Sequence, residues 1–146
     1  MWVDTHCHLQ LDGRDPVELM DRATDVAWMV VPGVDLESSQ AAIDLAAKYP
    51  GRLKPTVGLH PHDAEHWQAQ QAGLIELVPE AAAIGETGLD YYRNLAPKDD
   101  QRASFAGHIE LAAEHGLPRL RRTPGDVRHG GGHQPRRRRA GPRSGG

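Results

Sequence analysis

Two histidines near the start of the chain, His6 and His8, stand one residue apart in the run Val3-Asp4-Thr5-His6-Cys7-His8-Leu9. In an extended segment, side chains two positions apart leave the backbone on the same side, so both imidazoles project from one face. Two such nitrogens on rigid backbone suit a divalent metal site, which also draws on carboxylates. Glu86 supplies a carboxylate at the end of the apolar run Ala82-Ala83-Ile84-Gly85-Glu86. His60-Pro61-His62 adds two imidazoles on a loop stiffened by proline, and Asp90 follows Glu86 by four residues. A lone His-x-His motif is weak. With Asp4 before it and a Glu-bearing strand further on, it reads as the opening of a metal-dependent hydrolase.

The elements that must position these groups alternate between strand and helix. A first strand is predicted over Trp2–His8, followed by a helix over Pro16–Thr24 with Asp15 as N-cap and Pro16 in its first turn. Ala27–Val31 is continuously apolar, as a strand buried on both faces should be. A helix over Ser38–Tyr49, a strand over Leu53–Leu59, a short helix around Leu74–Leu77 and the strand ending at Glu86 come next. The last clear helix spans Pro97–His115, with Phe105, Ile109, Ala112 and Ala113 as its apolar stripe and Gly116 at its C-cap. Trp28 and Trp67 are expected to pack, as is the Cys7 thiol, which points away from the two histidines flanking it.

This repetition implies parallel strands with right-handed crossovers. Four βα units in 118 residues predict about 240 for eight, close to the ~250 typical of a (β/α)8 barrel. The fold class expected is therefore α/β, a partial TIM-type barrel containing the first four units. In such a barrel catalytic groups gather at the C-terminal ends of the strands. His6, His8, His60, His62 and Glu86 all fall there, although bringing the first strand near the later ones is expected to need a closed barrel.

At Arg119 the character of the chain changes. Residues 1–118 carry eight Lys and Arg against 19 Asp and Glu, whereas residues 119–146 carry nine Arg and one acid. Arg, Gly, Pro and Ala make up 20 of those last 28 residues, a composition that buries no core and predicts a disordered basic tail. These residue types have the most GC-rich codons, so one reading of 119–146 is an out-of-frame translation; the rival is a basic arm for nucleic acid phosphates. His129 and His133 have ligand-like spacing, but a Gly-rich tract gives them no preorganisation.

The segments Val3–Leu9, Gly58-Leu59-His60-Pro61-His62 and Ile84-Gly85-Glu86-Thr87-Gly88-Leu89-Asp90-Tyr91-Tyr92 together resemble the TatD-related metal-dependent deoxyribonucleases, a family of amidohydrolase-like barrels. The likeness covers residues 1–118 in order. It implies phosphodiester hydrolysis of DNA at a two-metal site, with His6 and His8 on one ion and Glu86 bridging to a second. It leaves His60, His62 and Asp90 either behind the ligands or on the substrate's side, and assigns no catalytic acid or base. Zn, Mn, Co or Mg would suit such ligands. The family's further histidines, after strands five and six, and its aspartate near strand eight have no match here, so the resemblance implies a truncated barrel of doubtful activity.

Two other functions compete. The same barrel and metals would serve a hydrolase of a small ester, lactone or aminoacyl bond, and the basic tail would serve a non-enzymatic nucleic-acid-binding protein. The single Cys7 excludes an internal disulfide and fits a reducing cytosol. No secretory leader is expected, and no apolar run approaches the ~20 residues of a membrane span. No specific protein partner is indicated.

Overall fold

The continuous apolar run forms a strand, β2 (Val26–Pro32), paired in parallel with β1 (Trp2–Asp4) on one side and β3 (Leu53–Val57) on the other. β4 (Ala83–Gly88) and β5 (Arg119–Arg122) extend the sheet, again in parallel. In this computed structural model, which describes residues 1–122, the strand order is β1-β2-β3-β4-β5. A sequential all-parallel order is that of a (β/α)8 barrel's first half, and it puts every strand's C-terminal end on one rim.

Four helices connect the strands: α1 (Pro16–Arg22), α2 (Leu36–Lys48), α3 (Trp67–Leu77) and α4 (Lys98–His115). Asp15 caps α1 as expected, its carboxylate accepting from Val17 N–H at 2.9 Å. α2 begins earlier than Ser38 because Asp35 and Ser38 form a reciprocal capping box. The buried Met20, Met29, Val31, Ala42 and Leu53 fill the space between β2, β3 and the first two helices, and the Cys7 side chain packs against them. Trp67 is buried in a second cluster with Val57, Leu59 and Leu74, while Trp28 is half-buried. Among the described residues no helix is long and apolar enough to cross a membrane.

Three expectations need correction. The first strand ends at Asp4 rather than His8, because the Asp4 carboxylate takes the His6 N–H at 2.9 Å and draws the chain out of the ladder. The segment still follows β2, with Cys7 N–H donating to Val30 C=O at 2.9 Å. The second correction concerns Arg119–Arg122, placed at the start of the basic tail: it forms β5, exposed at Arg119 and Arg121 and half-buried at Leu120 and Arg122. Residues 123–146, the rest of that expected tail with His129 and His133, lie outside the described residues.

The third correction is the inward face of α4. Gln101, Ser104, His108, Leu111 and Ala112 are buried, whereas Ile109 and Ala113 are exposed. Polar side chains point inward because the loops beneath need hydrogen-bond partners. His108 Nε2 accepts from Leu59 N–H at 2.9 Å, and its Nδ1 donates to Ser104 C=O at 2.6 Å. Those two bonds specify a neutral imidazole.

Burial pushes the His108 pKa down to about 4, against a carbonyl hydrogen bond that pulls it up. The unfolded chain then binds this proton first as pH falls through 6.5, so the stability His108 provides is complete above 6.5 and drains away toward pH 4. Between pH 7.5 and 4.5 this costs the wild type about 2–3 kcal/mol. Urea unfolding of His108→Gln should show a pH dependence shallower by that amount; equal slopes for the two proteins would contradict the neutral assignment.

Candidate metal centre

The rim groups are placed by backbone contacts that cross the sheet. Glu86 N–H donates to Gly33 C=O at 2.7 Å, reaching from β4 over β3 to the end of β2. Two glycines permit that approach. A Cβ on Gly58 would lie 2.6 Å from the Gly85 carbonyl carbon, and Gly85 itself has φ +145° with its α-carbon against Leu120 C=O of β5. His60 N–H donates to Val34 C=O at 2.8 Å, fixing the chain after β3, where His60 caps a 3-10 turn (Pro61–His66) that carries His62.

Glu86 is the centre of the resulting group, with its side chain 5% exposed. Its Oε2 lies 3.3 Å from His6 Nε2 and 3.6 Å from His8 Nε2, and those two nitrogens are 3.0 Å apart. The donor atoms of His6, His8 and Glu86 all lie within 4.8 Å of one another. The curvature of five strands is thus sufficient to carry strand one's histidines to strand four, and closure of a barrel is not needed. On the carboxylate's other oxygen, Oε1, stand His60 Nε2 at 3.8 Å and Arg122 Nη1 at 3.6 Å. Asp90, buried beside them, bonds His62 Nε2 through Oδ2 at 2.7 Å and has Arg122 Nε at 3.6 Å.

Hydrogen bonding distinguishes the imidazoles. His8 Nδ1 is 3.2 Å from Pro32 C=O, which only accepts, so Nδ1 carries the proton and Nε2 of the neutral ring presents its lone pair toward Glu86. His60 is the reverse: Nδ1 accepts from His62 N–H at 3.2 Å, so a neutral His60 turns an Nε2–H toward Glu86. Burial lowers its pKa to about 4, outweighing the attraction of Glu86, and keeps it neutral. His62 donates to the Asp90 carboxylate. Of the four rim histidines, His8 therefore presents a lone pair at Nε2, His60 and His62 present N–H groups, and His6 donates to Glu86 through a proton that a cation would displace.

Charge follows the same division. Burial alone would raise the Glu86 carboxyl, but the hydrogen bond from His6, together with the other imidazoles around it, outweighs it and holds the group well below the ordinary carboxylate range. The hydrogen bond to Glu86 raises His6 above 6.5 despite partial burial. Asp90 is also lowered: burial opposes ionisation, and the Arg93 N–H and His62 overcome it.

Sequence reasoning placed His6, His8, His60, His62 and Glu86 at one rim, and they meet there, with Asp90 beside them. It missed Arg122, counted with the tail's arginines, and Gln101, which looks like an ordinary helix-surface residue. Gln101 is fully buried, with Oε1 accepting from Asp90 N–H at 2.8 Å and Nε2 donating to Ala96 C=O at 2.8 Å. For Arg122 the available signal is position: the regular βα alternation calls for a strand after α4, and the rim end of that strand, β5, falls at Arg122.

A family model described as "TatD related DNase" matches residues 3–120. A "3'-5' ssDNA/RNA exonuclease TatD" of Rahnella sp. (strain Y9602) is 39% identical over 110 residues, covering 72% of this chain and 42% of that protein. The protein of that name from Escherichia fergusonii is 39% identical over 108 residues, covering 72% and 41%. The chain thus spans less than half the length of these curated relatives. In fold it is similar to YJJV, a TatD homologue of Escherichia coli, with TM-score 0.74 and 24% identity over 85% of this chain and 51% of that one. A TatD family hydrolase of Entamoeba histolytica superposes with TM-score 0.73 and 21% identity, over 86% of this chain and 50% of its own.

NMR titration tests the central contact. The His6 imidazole should titrate above 6.5 in the wild type and return toward 6.5 in Glu86→Gln, because the hydrogen bond to the carboxylate is its largest cause. A wild-type value at or below 6.5 would mean that the two side chains do not meet.

Proposed function

The chain belongs to the TatD related DNase family, and on that premise we propose that its rim is the metal-binding portion of a hydrolase that cleaves phosphodiester bonds in single-stranded nucleic acid. The observation carrying this reading is the convergence of His6 Nε2 and His8 Nε2, from the segment after β1, with Glu86 Oε2 of β4. The donor set fits a divalent cation. It contains two imidazole nitrogens and one carboxylate oxygen, and the bond from His8 Nδ1 to Pro32 C=O is the arrangement that orients a ligating imidazole. Zn, Mn, Co and Mg all accept such ligands, with imidazole favouring the first.

In this proposal His6 and His8 hold the ion against Glu86 Oε2. A bound divalent ion orients a water, lowers its pKa and offsets charge on the phosphate oxygens. His60 stays neutral and fixes Glu86 by pointing its Nε2–H at Oε1. His62 and Asp90, held through Gln101, keep the loop after β4 in place beside the reacting groups. The substrate class rests on the printed names of the relatives, and the charge of the chain agrees with a need for a cation. Residues 1–118 have an excess of 11 acids, so a polyanion would be repelled unless positive charge were supplied locally.

The full chain should cleave 3'-labelled single-stranded DNA in Mg2+ or Mn2+, with cleavage abolished by EDTA. His6→Ala and Glu86→Ala should each lower the rate by more than the ~10–100-fold that loss of an outer partner costs, and weaken metal affinity in parallel. Cleavage that survives both the chelator and the substitutions would come from something other than this centre.

A further inference from the structure

The two oxygens of Glu86 face different surroundings. Oε2 sees the His6 and His8 nitrogens, and the lone pair of His8 is directed at it. Among the described residues, Oε1 faces N–H groups, namely His60 Nε2–H at 3.8 Å and Arg122 Nη1 at 3.6 Å. Asp90 Oδ2, the next carboxylate along the rim, is likewise taken by His62 Nε2–H at 2.7 Å and Arg122 Nε at 3.6 Å. Arg122 therefore spans both carboxylates from the end of β5, with its own side chain only 21% exposed.

We propose that the Arg122 guanidinium occupies the place of a second cation between Glu86 and Asp90, so that this rim binds one divalent ion per chain and not two. Guanidinium is charged at every accessible pH and has no lone pair to give a metal. It supplies the positive charge that two buried carboxylates require, and it repels any divalent ion seeking the same oxygens. His60 adds no ligand there, because its lone pair is already engaged by the His62 N–H. The His6/His8 side of Glu86 lies outside this contact and stays open to an ion. The inference rests on the metal reading of His6, His8 and Glu86, and narrows it from an unspecified number of ions to one.

Counting bound Mn2+ tests the proposal without any assay of cleavage. The full chain is titrated with Mn2+ while the EPR signal of the free aqua ion is followed. The wild type should take up one equivalent before the signal rises. Arg122→Lys, which keeps the charge, should also take one. Arg122→His and Arg122→Gln, which remove the permanent charge and restore a lone pair at that place, should take two. Circular dichroism identical to wild type establishes that each counted variant is folded, and the wild-type count stands without any variant. Two equivalents on the wild type, or one on a folded Arg122→His, would overturn the proposal while leaving a metal centre intact. No Mn2+ on any of the four proteins would overturn the metal centre itself and this inference with it.

Discussion

The rim is built around one buried carboxylate. Taking an ionised Glu86 out of water with no partner would cost several kcal/mol, a large part of the stability a domain has. The structure meets that cost with four nitrogen-bearing side chains from three separate places: His6 and His8 after β1, His60 after β3 and Arg122 at the end of β5. No single element could supply them. The convergence requires parallel strands, since their C-terminal ends then arrive at one edge, and here they follow in sequential order. The demand of Glu86 for countercharge and the topology of the sheet therefore constrain each other.

What keeps that rim in shape lies outside it. Helix α4 turns a polar seam inward, and two of its members, Gln101 and His108, each hold a different loop. Gln101 grips the backbone of Asp90 and Ala96, and His108 grips Leu59, one residue before His60. Both side chains are essentially removed from solvent, where a hydrogen bond lost from one partner leaves the other unsatisfied at about 1–3 kcal/mol. Placing polar residues on the sheet-facing side of a helix is thus not a weakness in the packing. It transfers the rigidity of an 18-residue helix to two loops whose own residues are too few to fix themselves.

Most of this organisation was legible in the sequence. The apolar run of β2, the Asp15 start of α1 and the period-two placement of His6 and His8 are local signals, and the local physics prevailed in each. The failures share a cause: the deciding partner was distant in sequence. Nothing near Phe105 and Ile109 shows that α4 would face inward with Gln101 and His108, because the groups those residues bond belong to loops elsewhere. Arg119–Arg122 has the composition of a solvated tail, and its strand character comes entirely from the edge that β4 presents. Arg122 escaped notice for the same reason. An arginine among arginines carries no mark until the strand order sets it opposite two carboxylates.

The division of Glu86 into two sides also settles how the site meets an anion. Glu86, Asp90 and Arg122 by themselves leave one net negative charge at the rim, in a chain segment that is already acidic. A phosphodiester approaching that arrangement is repelled. With a divalent charge added on the His6/His8 side, the balance becomes net positive, and the same approach is favoured. Buried charges are weakly screened, so this reversal acts at short range even at physiological salt. Arg122 alone cannot produce it, because its charge is committed to neutralising one of the two carboxylates. On the proposed reading, recognition of a polyanion by this rim would be conditional on the exchangeable cation, while the guanidinium of Arg122 makes the paired carboxylates tolerable inside the fold.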